Sequence, residues 1–264
     1  MILETIKNQI LQRYQEMQSA GELPTNEQLD GYHRVFSQKF GPEVLSSLDG
    51  EALLNLIHGL GTRDSLVYWL EFKNDADFPA IFGSIAGGSA LKYGLFRRRE
   101  TGTWVIGSPQ KQVEISVEQA VEIARRHRDQ LIRGVSIIQS MPDTFEDAAY
   151  QKLQVDLTRE APDVENTSWG HKYFHMLCPK IIDDYHVASF QRFYLIKMLQ
   201  LPPEGDGRYI CAGRFIAMAQ EFSMPVGSFT TILNELHGRP YSYWRINIQK
   251  EQGQEKRWEQ MQQE

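Results

Sequence analysis

The pattern Ser116-Val117-Glu118-Gln119 constrains this chain more than any other short stretch. A serine followed three residues later by glutamine is a capping box, in which two otherwise orphaned N–H groups are satisfied reciprocally. It predicts the start of a long helix whose Val117, Val121 and Ala124 share one face, a face carried on by Leu131 and Ile132. Strand-like signals precede this helix. Ser65–Lys73 is rich in aromatic and branched residues, and Ala90–Arg99 and Thr103–Gly107 flank the short glycine-containing link Glu100-Thr101-Gly102. Beyond residue 165 the spacing predicts helices over Trp169–Leu177, Ser189–Leu199, Arg208–Phe222 and Val226–His237, with strand character returning only at Ser242–Ile248. The expected fold class is therefore α+β. A small antiparallel sheet or hairpin packs with helices in the N-terminal half, and the C-terminal half is mainly helical with a helix-turn-helix-like pair.

The chain opens with an amphipathic helix over residues 1–18. A second helix follows Leu23-Pro24-Thr25-Asn26, with Asn26 as its expected cap and Gly41-Pro42 as its stop. A third carries Leu53, Leu54 and Ile57 and stops at the Gly59 and Gly61 cluster. Met141–Asn166 is polar, acidic and punctuated by proline, so it reads as a linker in which 145–157 can be helical. The expected organisation is an α+β domain over 1–140 bearing a basic hairpin, a mainly helical domain over 165–248, and the start of a following module over 249–264.

Of 264 residues 41% are hydrophobic and 23% charged, enough apolar material for a buried core and unlike a disordered chain. No run approaches the roughly 20 apolar residues that cross a bilayer. Cys178 and Cys211 stand in apolar segments without a CxxC partner, so reduced buried thiols and a cytoplasmic location are expected. HExxH, GxSxG and histidine–carboxylate clusters are absent, and the seven histidines read as surface or packed side chains. Gly83-Ser84-Ile85-Ala86-Gly87-Gly88-Ser89 is glycine-rich but lacks the lysine of a phosphate-binding loop. No cofactor, no metal and no catalysis are expected from these motifs.

Three sets of residues carry possible chemistry. Asp64, Glu71 and Lys73 form an Asp…Glu-x-Lys series, the combination metal-dependent nucleases use. It is a lesser reading beside a solvated strand face on which Glu71 and Lys73 would point the same way. Lys92, Arg97, Arg98, Arg99, Trp104 and Lys111 cluster on the hairpin, and Arg125 and Arg126 on the following helix. Such a basic, aromatic hairpin can track a phosphate backbone, although its arginines can equally pair with neighbouring carboxylates. The net charge of −6 excludes a uniformly basic surface but leaves local patches open. Residues 215–234 have helix-turn-helix spacing, with Ala219 at the crossing, a break at Ser223-Met224-Pro225, and Phe229, Ile232 and Leu233 as the seat. Ser228, Thr230, Thr231 and Asn234 would then face outward, with Arg239 placed for a phosphate. An ordinary helical corner is the alternative.

The strings Asp64–Lys73, Phe82–Lys92, Trp169–Phe174 and Gln191–Lys197 resemble the N-terminal regions of McrB-like AAA+ restriction ATPases. That resemblance implies a DNA-recognition module, reading modified or unmodified DNA, in front of an AAA+ motor with a partner nuclease. An assembly scaffold of the same system is the alternative. The motor's Walker lysine is not in this sequence, so hydrolysis is not implied for it.

Overall fold

The computed structural model describes residues 4–59, 63–78, 81–108 and 110–240. Four helices open the chain: α1 Glu4–Ser19, α2 Asn26–Phe40, α3 Pro42–Ser47 and α4 Gly50–His58. The cap of α2 is Thr25 rather than Asn26. Its hydroxyl accepts from Gln28 N at 3.2 Å while the Gln28 side chain accepts from Thr25 N at 2.8 Å.

Ser65–Lys73 is helical, which corrects the expected strand. Ser65 caps a continuous run of α5 Leu66–Tyr68, a π-helical turn Trp69–Lys73 and α6 Asn74–Asp77. Leu66, Leu70 and Asn74 are fully buried at a spacing of four, so burial of one helical stripe overrides the β preference of Val67, Tyr68 and Trp69. The segment from Ala90 is a 3-10 turn, Ala90–Tyr93, stopped by Gly94 in a left-handed conformation. The first strand is therefore reduced to β1 Phe96–Arg97.

The sheet has antiparallel order β1-β2-β3, with β2 Trp104–Ser108 and β3 Lys111–Ile115. Arg97 lies opposite Trp104 and Gly102 N donates to Arg98 O, so the expected 100–102 link is the turn found. β3 was not expected. Four of its five residues are exposed, and it pairs with β2 from Trp104↔Ile115 to Ser108↔Lys111.

The capping box opens α7 Val117–Gln139, which packs against α3, α4, α8 and α9. Gly134 lets α7 approach α9 closely, since a Cβ there would lie 2.3 Å from Phe174 Cζ. The expected linker is largely helix α8, Asp147–Glu160, with Tyr150, Leu153 and Leu157 buried. Four more helices follow: α9 Ser168–Leu177, α10 Ala188–Lys197, α11 Ala212–Glu221 and α12 Val226–His237. The architecture is thus α+β with a mostly helical C-terminal half. One cluster of buried apolar side chains runs from Ile10 to Leu233, with α1 against α12 and α2 against α9. Among the described residues no helix is long and apolar enough to cross a membrane. The expected strand at Ser242–Ile248 and the segment 249–264 lie outside the described residues.

Candidate binding cleft

The sequence-derived candidates are largely spent on internal contacts. Asp64 is paired with Lys39 at 2.6 Å, Glu71 with Lys92 at 2.7 Å, and Lys73 with Asp77 at 2.6 Å. On a helix, Glu71 and Lys73 are not on one face, so the strand geometry behind the nuclease series is corrected. No group of three or more potential metal-ligating side chains is found among the described residues.

On the hairpin, Arg98 pairs with Glu114 at 2.5 Å and Gln112 at 2.9 Å, and Arg97 donates to Gly102 O at 2.8 Å. Trp104 is 4% exposed and cannot offer a ring face to a base as expected. The sheet packs it inward, beneath the Arg97 guanidinium. Arg125 is held by Asp49 and Glu122, and Arg126 lies 3.4 Å from Asp163. Arg97, Arg99 and Lys111 remain exposed, and neither Arg99 nor Lys111 has an ion pair among the described residues.

The helix pair breaks where expected, with Ser223 left-handed at φ 54° in the position where glycine is usual. The outward face does not follow. Ser228 and Thr230 are each 1% exposed, because α12 packs against α1, α10 and α11 and its Gly227 lies against the Ile81 carbonyl. Thr231 is half-buried and donates back to Gly227 O at 2.7 Å. Asn234 is half-buried and accepts from Tyr185 OH at 3.2 Å. Arg239 is exposed.

Asn234 and Arg239 instead meet a different set of residues around one cavity of about 620 Å³. The 83–87 part of the glycine-rich stretch forms one wall, and Trp169, the 184–187 segment, Phe190 and Arg208 form the others. Gly83 has φ +62°, and a Cβ there would lie 2.1 Å from Asp184 O, so only glycine lets the loop rest on this segment. Ser84 Oγ donates to Asp75 Oδ2 at 2.5 Å. Lys172 Nζ, fully buried on α9, donates to Asp75 Oδ1 at 2.9 Å. Lys92 Nζ donates to Ile85 O at 2.8 Å, Gly87 O at 2.9 Å and Glu71 at 2.7 Å. Lys92 thus holds the loop in place, a correction to its expected role as a surface contact, since an ammonium has only three donors.

The opposite wall contains buried polar groups. Thr230 Oγ1 donates to Asp184 Oδ2 at 2.7 Å, while Asp184 Oδ1 has no hydrogen-bond partner among the described residues. Burial pushes the Asp184 carboxyl up to about 7. Trp169 Nε1 is likewise buried without a partner. His186 and His171 face each other through Nδ1 atoms 3.0 Å apart, and their Nε2 atoms reach Phe82 O and Arg208 O. Burial lowers both rings' pKa, so the pair is neutral and packed. Arg208 donates to His186 O and reaches Ser168 Oγ and Asn166 Oδ1, each at 3.3 Å. Neither Arg208 nor Arg239 has a carboxylate partner among the described residues.

The cleft was not among the sequence-derived sites. The run Asp183-Asp184-Tyr185-His186 between apolar neighbours was its one local signal. Comparisons with protein-family models, curated proteins and solved structures found no match to this chain.

Proposed function

We propose that this chain is a non-catalytic DNA-recognition module that holds a nucleotide of its target in the cleft between the 83–87 loop and Arg208. One observation carries the reading: two guanidiniums, Arg208 and Arg239, line one cavity, and neither forms an ion pair with a carboxylate among the described residues. Guanidiniums without an ion-pair partner beside a polar cavity suit a phosphate, which they can grip through paired N–H groups. The cavity falls within the roughly 300–1,000 Å³ typical of small-ligand sites, enough for a nucleotide. The 3-10 turn bearing Lys92 joins the cleft to the hairpin, whose exposed Arg97, Arg99 and Lys111 extend the positive surface along a phosphate backbone. In the restriction system that the sequence resembles, an AAA+ motor and its nuclease would act on the DNA this module has bound.

Fluorescence anisotropy with labelled duplexes and single strands tests the proposal. Affinity should fall with salt, with a log–log slope of about −0.7 to −0.9 per phosphate contacted. Arg239→Ala, at an exposed position, should weaken binding about tenfold and flatten the slope by about one contact. Absence of binding at low salt, or binding indifferent to Arg239→Ala, overturns the cleft reading.

An assembly surface is a second reading, favoured by Ile196 in the last turn of α10 and Leu199 and Leu201 just after it, which are 60%, 70% and 88% exposed. Leu199 adopts φ 57° there, an unusual conformation for leucine that turns the chain at this exposed apolar strip.

A further inference from the structure

We propose that the cavity between α2, the turn after α9 and the α11–α12 corner binds a zwitterionic amino acid with a large apolar side chain. This cavity has a volume of about 430 Å³ and shares no lining residue with the nucleotide cleft. Its size falls in the range of small-ligand sites. Part of its lining is apolar and partly open. Leu29, Met224 and Val226 keep 6%, 7% and 8% of their surface exposed, and Pro179 and Pro225, also in the lining, are half-buried.

Two opposite charges share the cavity without pairing. Asp30 on α2 and Lys180 after α9 both line it and both are exposed. Neither has an ion-pair or hydrogen-bond partner among the described residues. A cation alone would suit Asp30 but meet Lys180 as a like charge, and an anion alone would suit Lys180 but meet Asp30. A ligand that carries both charges complements both. His33 supplies a third contact. It also lines the cavity, and it stands three residues after Asp30, so the two share a face of α2. Its Nδ1 lies 2.9 Å from Met176 O, and a carbonyl only accepts, so Nδ1 carries the proton. Burial lowers the ring's pKa and leaves it neutral at neutral pH, which makes Nε2 an acceptor. That nitrogen has no partner among the described residues and is open to solvent. The ammonium of an amino acid thus has two acceptors on α2, Asp30 and His33, while its carboxylate has Lys180. The apolar lining is left for its side chain.

Isothermal titration calorimetry on the whole chain, with L-leucine and L-phenylalanine, tests the site. Each is compared with the amine that lacks the carboxylate, isoamylamine or phenethylamine. Each is also compared with the acid that lacks the amine, isocaproate or hydrocinnamate, and with glycine, which lacks the side chain. At least one of the two amino acids should bind about tenfold or more tightly than glycine and than either of its own analogues, the scale of one charge-assisted hydrogen bond. Lys180→Met should weaken the amino acid about tenfold and leave the amine's affinity no lower. Asp30→Asn should weaken the amino acid similarly and leave the acid's affinity no lower. Both side chains are exposed and unpaired, so both variants should keep the helical circular dichroism of the parent. No binding of either amino acid overturns the inference. An amine or acid that binds as tightly as its parent amino acid also overturns it, since the cavity would then select a single charge. Amino-acid affinity retained in full by both folded variants places the ligand elsewhere and likewise overturns it.

Discussion

At the scale of single residues, the buried ionic contact between Lys172 and Asp75 separates two kinds of damage. Lys172 is fully buried, whereas the Asp75 side chain keeps 22% of its surface exposed. Removing the carboxylate strands a cation in the core, while removing the cation leaves an anion that still meets water and Ser84. Asp75→Ala should therefore cost about 3 kcal/mol or more, and Lys172→Met distinctly less. Urea denaturation of both variants checks the order, and equal losses would refute the asymmetry. Neither residue stood out in the sequence, because burial depends on the helices that close over α9. The same limit explains Thr230 and Ser228. Their spacing on a helix was legible, but which side of that helix meets solvent is settled by α1, α10 and the Ile81 carbonyl.

At the scale of elements, local hydrogen-bond chemistry proved the most legible. Ser116 Oγ accepts from Gln119 N at 3.2 Å and Gln119 Oε1 accepts from Ser116 N at 3.0 Å, as the four-residue pattern requires. Ser116→Ala should lower stability by about 1 kcal/mol, measured as a drop in the urea midpoint without a change in slope. The 100–102 turn was equally legible, since Gly102 adopts the positive φ that the link demands. The Ser65–Asp77 run was not. Its aromatic and branched residues suit a strand, but a serine cap and a buried stripe at spacing four suit a helix, and burial decides. Capping and turns are chemistry between near neighbours, whereas the choice between strand and helix for a short apolar run waits on what covers it.

At the scale of the whole molecule, the histidines shape the response to acid. His58, His127, His171, His175 and His186 are all buried, with burial the first cause of each lowered pKa. His127 is lowered to about 4, and His171 and His175 to about 3. The unfolded chain therefore takes up protons near pH 6.5 that the folded chain refuses. This stability is present in full above that pH and is lost progressively as pH falls towards 4 and then 3. Asp183 and Asp184, both raised by burial, act in the opposite direction, Asp184 below about pH 7, but two groups oppose five. The urea midpoint should accordingly rise between about pH 4 and 6.5, and a flat or falling profile would contradict the buried, neutral assignment. The α+β class could be read from the sequence because it follows from the order of local signals. The cleft could not, because its walls come from residues near 83, 92, 168, 185, 208 and 239, which nothing in the sequence places together.

Lys92 shows how far a map of charges departs from a map of shapes. Its ammonium points three hydrogen bonds in three directions, two of them to carbonyl groups of the same glycine-rich loop. Arginine carries the same charge but spreads its N–H groups in one plane, a fork that matches a single flat partner and not three scattered ones. An exchange that leaves the electrostatic surface untouched would thus let go of the arch over the cavity. At position 92 a tetrahedral head is what the backbone requires.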